Sequence, residues 1–150
     1  TRLDSVFVLD LEEIPLPTSW GQFDCITCLD ILEHLRDPWT FVRELRQWLR
    51  PRGSIVASIP NVRHHSVLKS LLIHRAWEYQ ESGILDRSHL RFFTRKSVAE
   101  LFRGAGYEIT TLVGINGTTS WQFRLANGVT MGAFDDARFR QYACVATLPR

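Results

Sequence analysis

The chain has 150 residues, of which 45% are hydrophobic and 23% charged, and these values are typical of one globular domain spanning residues 1–150. The formal net charge is +2 with acidic and basic residues interleaved, which excludes a concentrated basic surface of the kind that binds nucleic acid. No apolar run approaches the roughly 18 residues of a membrane span and no signal-peptide pattern is present, so we expect a cytoplasmic protein without membrane association.

Two strands are predicted in the first thirty residues. Residues 5–9 form a short β-branched and apolar run ending at Asp10, which is typical of a buried strand. A proline-bearing loop at residues 15–17 follows it. Residues 23–29 are nearly all apolar, as expected of a parallel strand that is covered on both faces.

A helix and a third strand follow. Asp37 and Pro38 supply an N-cap and a first helical residue. The apolar side chains after them share one helical face, which predicts an amphipathic helix: Phe41, Val42, Leu45, Trp48 and Leu49. Residues 54–59 then predict a strand that stops at Pro60. The order strand, helix, strand indicates the βαβ unit of a parallel sheet.

The middle of the chain is irregular. Residues 61–93 contain one predicted helix near residues 67–76, and their polar, aromatic and histidine-bearing remainder is typical of a lid or acceptor-binding segment. Thr94 then predicts the N-cap of an amphipathic helix that closes at Gly106.

Two more strands are predicted near the end, at residues 107–113 and 142–148. The insertion between them, residues 114–141, includes a predicted short helix at residues 120–126.

The three cysteines, Cys25, Cys28 and Cys144, lie in strand-like apolar runs, which favours buried thiols over a disulfide framework. Cys25 and Cys28 have the spacing of a redox or zinc pair. Since the sequence has no second such pair, two strand positions are the favoured interpretation.

Several short motifs occur together in one order: Leu29-Asp30-Ile-Leu-Glu33-His34-Leu35, Asp37-Pro38, Leu49-Arg-Pro-Arg-Gly53, and a strand ending at Pro60-Asn61. In this combination the chain resembles class I S-adenosylmethionine (SAM) dependent methyltransferases from about Val6 to Val113. The resemblance is strongest to ubiquinone-biosynthesis O-methyltransferases and to methyltransferases of bacterial surface-polysaccharide clusters. The run Gly83-Ile-Leu-Asp86-Arg-Ser-His89-Leu-Arg91-Phe-Phe-Thr94 strengthens the second comparison.

The resemblance implies an α/β fold. We expect a partial Rossmann-like class I methyltransferase fold, with a mostly parallel sheet and a C-terminal antiparallel strand. It also implies SAM as cofactor, with Asp10 and Leu11 beside the adenine ring and Leu29 and Asp30 beside the methionine and the reacting methyl. The competing interpretation is that Asp10 and Asp30 only end strands and cap turns.

The glycine-rich turn and the ribose-binding carboxylate of that family have no counterpart in this sequence. We therefore expect that the family's first two strands are missing. Without backbone N–H groups from the glycine turn, the chain alone should bind SAM very weakly or not at all.

The resemblance and the residue types together predict the chemistry. Methyl transfer depends mainly on positioning, and a base helps when the acceptor is an oxygen. His34 is the candidate base; alternatively, it only orients Glu33 or a backbone group. Five residues at or beyond the end of the third strand are candidates for binding a polar or phosphorylated acceptor, although a solvated loop surface is the competing interpretation: Asn61, Arg63, His64, His89 and Arg91.

No metal site is predicted. His64, His65, His89 and Asp86 are the available ligands in the irregular segment, but adjacent histidines rarely bind one ion together and no helical His-x-x-x-His pair occurs.

Two functions from different classes are therefore expected. One is the acceptor-side portion of a SAM-dependent methyltransferase acting on a small-molecule or glycan hydroxyl. The other is a degenerate, noncatalytic interaction module that binds a partner, or a second copy as a homodimer, through an exposed sheet edge.

Overall fold

The structure, a computed structural model, describes residues 3–13 and 21–149, and the loop predicted at residues 15–17 lies outside them. Its centre is one four-stranded sheet in the order β1-β2-β4-β3. The strands are β1 Phe23–Leu29, β2 Leu49–Pro60, β3 Glu108–Gly117 and β4 Phe139–Thr147. β1 pairs with β2 in parallel, while β4 pairs antiparallel with both β2 and β3. The predicted α/β class and antiparallel last strand are confirmed, but the sheet is mixed rather than mostly parallel.

In the part of the chain that the structure describes, four α-helices accompany the sheet: α1 Pro38–Glu44, α2 His65–Leu72, α3 Arg95–Gly104 and α4 Trp121–Val129. The helix predicted after Asp37 is α1, and a 3-10 helix, Leu45–Trp48, continues it directly. Local caps explain where helices begin. The Asp37 carboxylate accepts a hydrogen bond from the Thr40 N–H (3.0 Å), and the side chains of Thr94 and Ser97 cap each other's backbone at α3.

The hydrophobic core lies between the sheet and the helices α1 and α3. Alternate residues of β2 are buried because successive strand side chains point to opposite faces, and Ile55 and Ile59 contribute to the core. From α3, Leu101 and Phe102 pack into the same core. Because this core fixes β2 against the helices, it also fixes the strand ends at which the site lies.

The predicted strand at residues 5–9 is wrong. The structure assigns it no strand, and the side chain of Val8 is 99% exposed. Among the described residues no strand pairs with residues 5–9, and the outer edge of β1 stays open. The apolar pattern did not produce a strand here, because a strand also needs a paired neighbour. β1 is largely exposed rather than covered on both faces, and Cys28 is its one buried residue.

Other bounds shift by a few residues. β3 runs on to Gly117 and β4 starts at Phe139, so the insertion shortens to residues 118–138, and the helix within it extends to Val129. Cys28 and Cys144 are buried as predicted, whereas Cys25 is exposed. Within the described residues, no helix is both long and apolar enough to cross a membrane.

Candidate functional site

A polar cavity of about 500 Å³ opens at the carboxyl ends of the parallel strands β1 and β2. Open α/β sheets generally bind ligands at this end. Residues from five parts of the chain line the cavity: Asp30, Glu33, His34, Pro60, Gly83, Ile84, Asp86, His89, Asn116, Arg140 and Gln141. The cavity therefore combines the motif after β1, the end of β2, the irregular segment and the strands β3 and β4.

Asp30 connects three strands at the floor of this cavity. It follows β1 with a φ of 51°, a left-handed conformation that aspartate tolerates better than most residues. Its N–H donates to the carbonyl oxygen and the hydroxyl of Ser58 (3.2 and 3.1 Å), and its carboxylate accepts from the Gln141 amide (2.8 Å). β1, β2 and β4 are thus held together where the site begins.

The 3-10 helix Leu32–His34 brings two distant segments together. The carbonyl oxygen of Glu33 accepts hydrogen bonds from the N–H groups of Leu90 (2.8 Å) and Arg91 (2.9 Å). This double contact places His89, the residue just before them, against His34. Their ring centroids lie 4.7 Å apart in an edge-to-face arrangement.

Both rings have a fixed tautomer. The Nδ1 of His34 lies 3.2 Å from the carbonyl oxygen of Ser88, and the Nδ1 of His89 lies 2.9 Å from that of Ile84. A carbonyl oxygen can only accept, so each Nδ1 carries the proton and, in the neutral ring, each Nε2 keeps a free electron pair. Asp86 steadies this arrangement by accepting bonds from the N–H and hydroxyl of Ser88.

Glu33 is a buried acid beside these rings, with 1% of its surface exposed. Its Oε1 lies 3.9 Å from the Nε2 of His89, too far for a hydrogen bond, and neither carboxylate oxygen has a hydrogen-bond partner among the described residues. Burial raises the pKa of Glu33 to about 7. The backbone N–H of Glu33 opposes this rise, although its geometry is not that of a hydrogen bond, and the neighbouring charge of Asp30 adds to the rise.

Of the predicted site residues, the structure brings Asp30, His34 and His89 into one cavity, with the exposed Leu29 directly before Asp30. Sequence reasoning missed Glu33, although its position between Asp30 and His34 was a usable signal. It also missed Arg140 and Gln141, for which no local signal exists. Gln141 reaches the site through the long-range pairing of β4 with Pro60 of β2.

The predicted adenine-side residues lie in a turn near the same strand end. The Asp10 carboxylate accepts a hydrogen bond from the Glu12 N–H (2.9 Å), which is the turn-capping geometry of the competing interpretation. Leu11 is half-buried and lines an apolar groove beside β1. The Glu12 carboxylate in turn binds the backbone and side chain of Arg36, which holds this turn close to the 3-10 helix.

Three predicted acceptor-binding residues lie outside the cavity, with other contacts. Asn61 is fully buried, and its side chain bonds the backbone of Asp136, Phe139 and Arg63. The Arg63 side chain pairs with Asp136 (2.9 Å). Arg91 donates to the carbonyl oxygen of Arg36 (3.0 Å), and its guanidinium lies over the Trp39 ring.

His64, the remaining candidate, is buried and caps α2 by accepting from the Ser66 N–H. Burial lowers the pKa of His64 to about 4, with His65 and Arg140 adding to the effect. The folded chain therefore holds this ring neutral, whereas the unfolded chain protonates it below its ordinary pKa near 6.5.

We therefore expect His64 to reduce stability as the pH falls from 6.5 toward 4, by about 1–2 kcal/mol at pH 5. His64→Asn keeps a capping side chain without the titration, so its unfolding free energy should fall less between pH 7 and pH 5. Urea unfolding at both pH values measures this difference, with the exposed His74→Asn as matched control. Equal pH dependence in His64→Asn and wild type would contradict the prediction.

Comparison with known proteins agrees with the motifs. Residues 4–112 match the sequence model of a family described as "Methyltransferase domain". A ubiquinone biosynthesis O-methyltransferase of Pseudomonas paraeruginosa is 31% identical over 121 residues, 79% of this chain and 49% of that protein. One of Marinobacter nauticus is 30% identical over 101 residues, 66% of this chain and 41% of that protein. The chain spans about half the length, or less, of these curated relatives.

Solved structures show the same fold. A SAM-dependent methyltransferase of Thermotoga maritima superposes with a TM-score of 0.62 at 17% identity, covering 96% of this chain and 65% of that one. One from Aquifex aeolicus gives 0.56 at 14% identity, covering 97% and 55%. The resemblance inferred from the motifs is confirmed: since the family model covers most of its length, the chain belongs to the methyltransferase-domain family, within the class I SAM-dependent methyltransferases.

Proposed function

We propose that the protein is a SAM-dependent methyltransferase whose acceptor is a hydroxyl group of a small molecule or glycan. The observation that carries this proposal is the polar cavity at the carboxyl ends of β1 and β2, in a chain of this family. The name O-methyltransferase of the curated relatives supports an oxygen acceptor.

SAM, when bound, supplies an electrophilic methyl group, and its transfer to a hydroxyl leaves a thioether and a proton to be removed. His34 is the residue we propose as the base, because its Nε2 has a free electron pair in the cavity while its Nδ1 is bonded to Ser88. His89 lines the same cavity and is proposed to contact the acceptor.

We propose that four residues contact the cofactor: Asp10, Leu11, Leu29 and Asp30. The apolar groove beside β1, about 310 Å³ in volume, offers an uncharged surface to a planar ring such as adenine. Asp30 lines the polar cavity, and Cys28 and Ile31, which line the groove, lie on either side of it in the sequence, so its carboxylate is available to a positively charged sulfonium and its amino-acid tail. These residues fit part of SAM, and the described residues include no glycine-rich turn for the rest.

Calorimetric titration with SAM tests this proposal. We expect the 150-residue chain to show no or very weak binding, and a form extended upstream of Thr1 by a glycine-rich strand-turn-helix to bind in the micromolar range. In that form Asp30→Ala should weaken binding about ten- to a hundredfold, the value of a hydrogen bond to a charged group. Asp24→Ala is the matched control, because Asp24 is an exposed residue of β1 that pairs with Arg50 at the surface.

The same titration distinguishes the methyltransferase from the second candidate function, an interaction module. β1 leaves one edge of the sheet and the apolar groove uncovered by other described residues, which favours an interaction module that binds a partner or a second copy there. If neither form binds SAM, the module becomes the better explanation of the chain.

A further inference from the structure

Glu33, His34 and His89 form a compact cluster of potential metal ligands. One carboxylate oxygen of Glu33 and one nitrogen of each ring all lie within 4.8 Å of one another. This cluster differs from the set weighed from the sequence, which combined His89 with His64, His65 and Asp86. His34 and His89 are 55 positions apart, and they meet where the Glu33 carbonyl binds the backbone of Leu90 and Arg91 and the His34 ring binds the Ser88 carbonyl.

Each imidazole is already oriented as a metal ligand would be. Histidines that bind metals usually donate their second ring N–H to a carbonyl or carboxylate, which fixes the tautomer and raises the basicity of the ligating nitrogen. Here the Nδ1 groups of His34 and His89 donate to the carbonyl oxygens of Ser88 and Ile84. Asp86 holds Ser88 in place through two further hydrogen bonds.

The carboxylate gives an independent indication of a missing partner. Glu33 is almost completely buried, yet neither of its oxygens has a hydrogen-bond partner among the described residues. A buried carboxylate without a partner is costly, and such groups are normally paired or coordinate a metal. A cation bound between Glu33 and the two rings would remove that cost.

The spacing also suits one ion. Two ligand atoms about 2.1 Å from a common ion lie roughly 3–3.5 Å apart at the angles of octahedral and tetrahedral coordination. The Oε1 of Glu33 and the Nε2 of His89 lie 3.9 Å apart. This pair would have to close by about 0.4–0.9 Å around a common ion, and the other pairs of the cluster, all within 4.8 Å, by up to about 1.8 Å.

From this geometry we propose that Glu33, His34 and His89 bind one divalent transition-metal ion. Two imidazoles and a carboxylate are the donor set of catalytic zinc sites and of other borderline cations, and three protein ligands leave coordination positions open. The cavity gives these positions access to a ligand that enters from outside.

The role of the ion rests on the proposed function. A hydroxyl oxygen of the acceptor occupies an open position, and the ion lowers the pKa of that hydroxyl so that its proton leaves to solvent. In the loaded site the Nε2 of His34 is a ligand and no longer a free base. The ion therefore replaces the base chemistry proposed for His34 in the empty site.

Metal binding is tested directly with Co²⁺, whose visible absorption reports coordination by nitrogen and oxygen ligands, and with Zn²⁺ by calorimetry. We expect one equivalent of either ion to bind the chain. Glu33→Gln and His89→Ala should each weaken binding at least about a hundredfold, as expected for loss of a direct ligand rather than a supporting residue. His74→Ala, an exposed histidine outside the cluster, is the matched control and should bind like wild type.

Far-ultraviolet circular dichroism establishes that each variant is folded before it is titrated. If His89→Ala does not fold, the near-isosteric Glu33→Gln alone provides the test. The proposal is overturned if the folded wild type gives no cobalt spectrum, or if Glu33→Gln binds Zn²⁺ as tightly as wild type. These titrations need neither SAM nor methyl transfer. A negative result therefore removes the metal site and leaves the proposed function standing. Failure of the extended form to bind SAM removes the proposed function and the role of the ion in it, but not metal binding itself.

Discussion

Replacing Asn61 with alanine is expected to lower the free energy of unfolding by about 2–5 kcal/mol, because it leaves several buried backbone groups without partners. The Asn61 amide donates to the carbonyl oxygens of Asp136 (2.9 Å) and Phe139 (2.8 Å), and its oxygen accepts from the Arg63 N–H (2.9 Å). One side chain thus joins the end of β2 to the start of β4.

Urea unfolding followed by circular dichroism measures this loss. Gln47→Ala is the matched control, since among the described residues its exposed amide bonds the Glu44 carboxylate at the surface, and its removal should cost less than about 0.5 kcal/mol. An Asn61→Ala variant as stable as wild type would contradict the structural role. The acceptor-binding role predicted from the sequence would then be the remaining hypothesis for Asn61.

The second large effect has the opposite sign. In the presence of a chelator at pH 8, Glu33→Gln should raise the free energy of unfolding by about 1–3 kcal/mol, because it replaces an unpaired buried charge with a neutral group of the same shape. Glu100→Gln, on the exposed face of α3, is the control and should change stability by less than about 0.5 kcal/mol.

Adding Zn²⁺ should reverse this ranking. An ion that binds the folded state of the wild type stabilises it by about 4.1 kcal/mol at a thousand times its Kd, which exceeds the expected advantage of Glu33→Gln, while that variant gains little from the ion. Thermal unfolding with and without Zn²⁺ measures both effects. A Glu33→Gln variant that is less stable than wild type under the chelator would show that the carboxylate has a favourable partner in solution.

Local signals predicted the local structure well. The bounds of β1, the start of α1 at Asp37–Pro38 and the cap at Thr94 agree with the structure, because each depends on neighbours within a few residues. The strand predicted at residues 5–9 is wrong because it depended on a contact beyond its neighbours in sequence. Their apolar pattern suits a strand, but a strand also needs a neighbour, and periodicity does not report whether one is present.

The candidate site was predictable only in part. The motif around Asp30 and His34 pointed to the correct strand end, as the general behaviour of α/β sheets suggests. The contact of His34 with His89 depends on chain segments that meet only in the folded molecule. The hydrogen bond from Gln141 to Asp30 does so as well. The isolated carboxylate of Glu33 could not be foreseen, because hydrogen-bond satisfaction is a property of the packed interior.

The strand order β1-β2-β4-β3 also sets the order of events during synthesis on the ribosome. β2 and β3 have no common neighbour until β4, the last of the four strands, leaves the exit tunnel and inserts between them. Such late, long-range pairing is slow, and until it occurs both strands keep edges open to chaperones and to other chains. Arg140 and Gln141 lie on β4, so the cavity is completed among the final steps of folding.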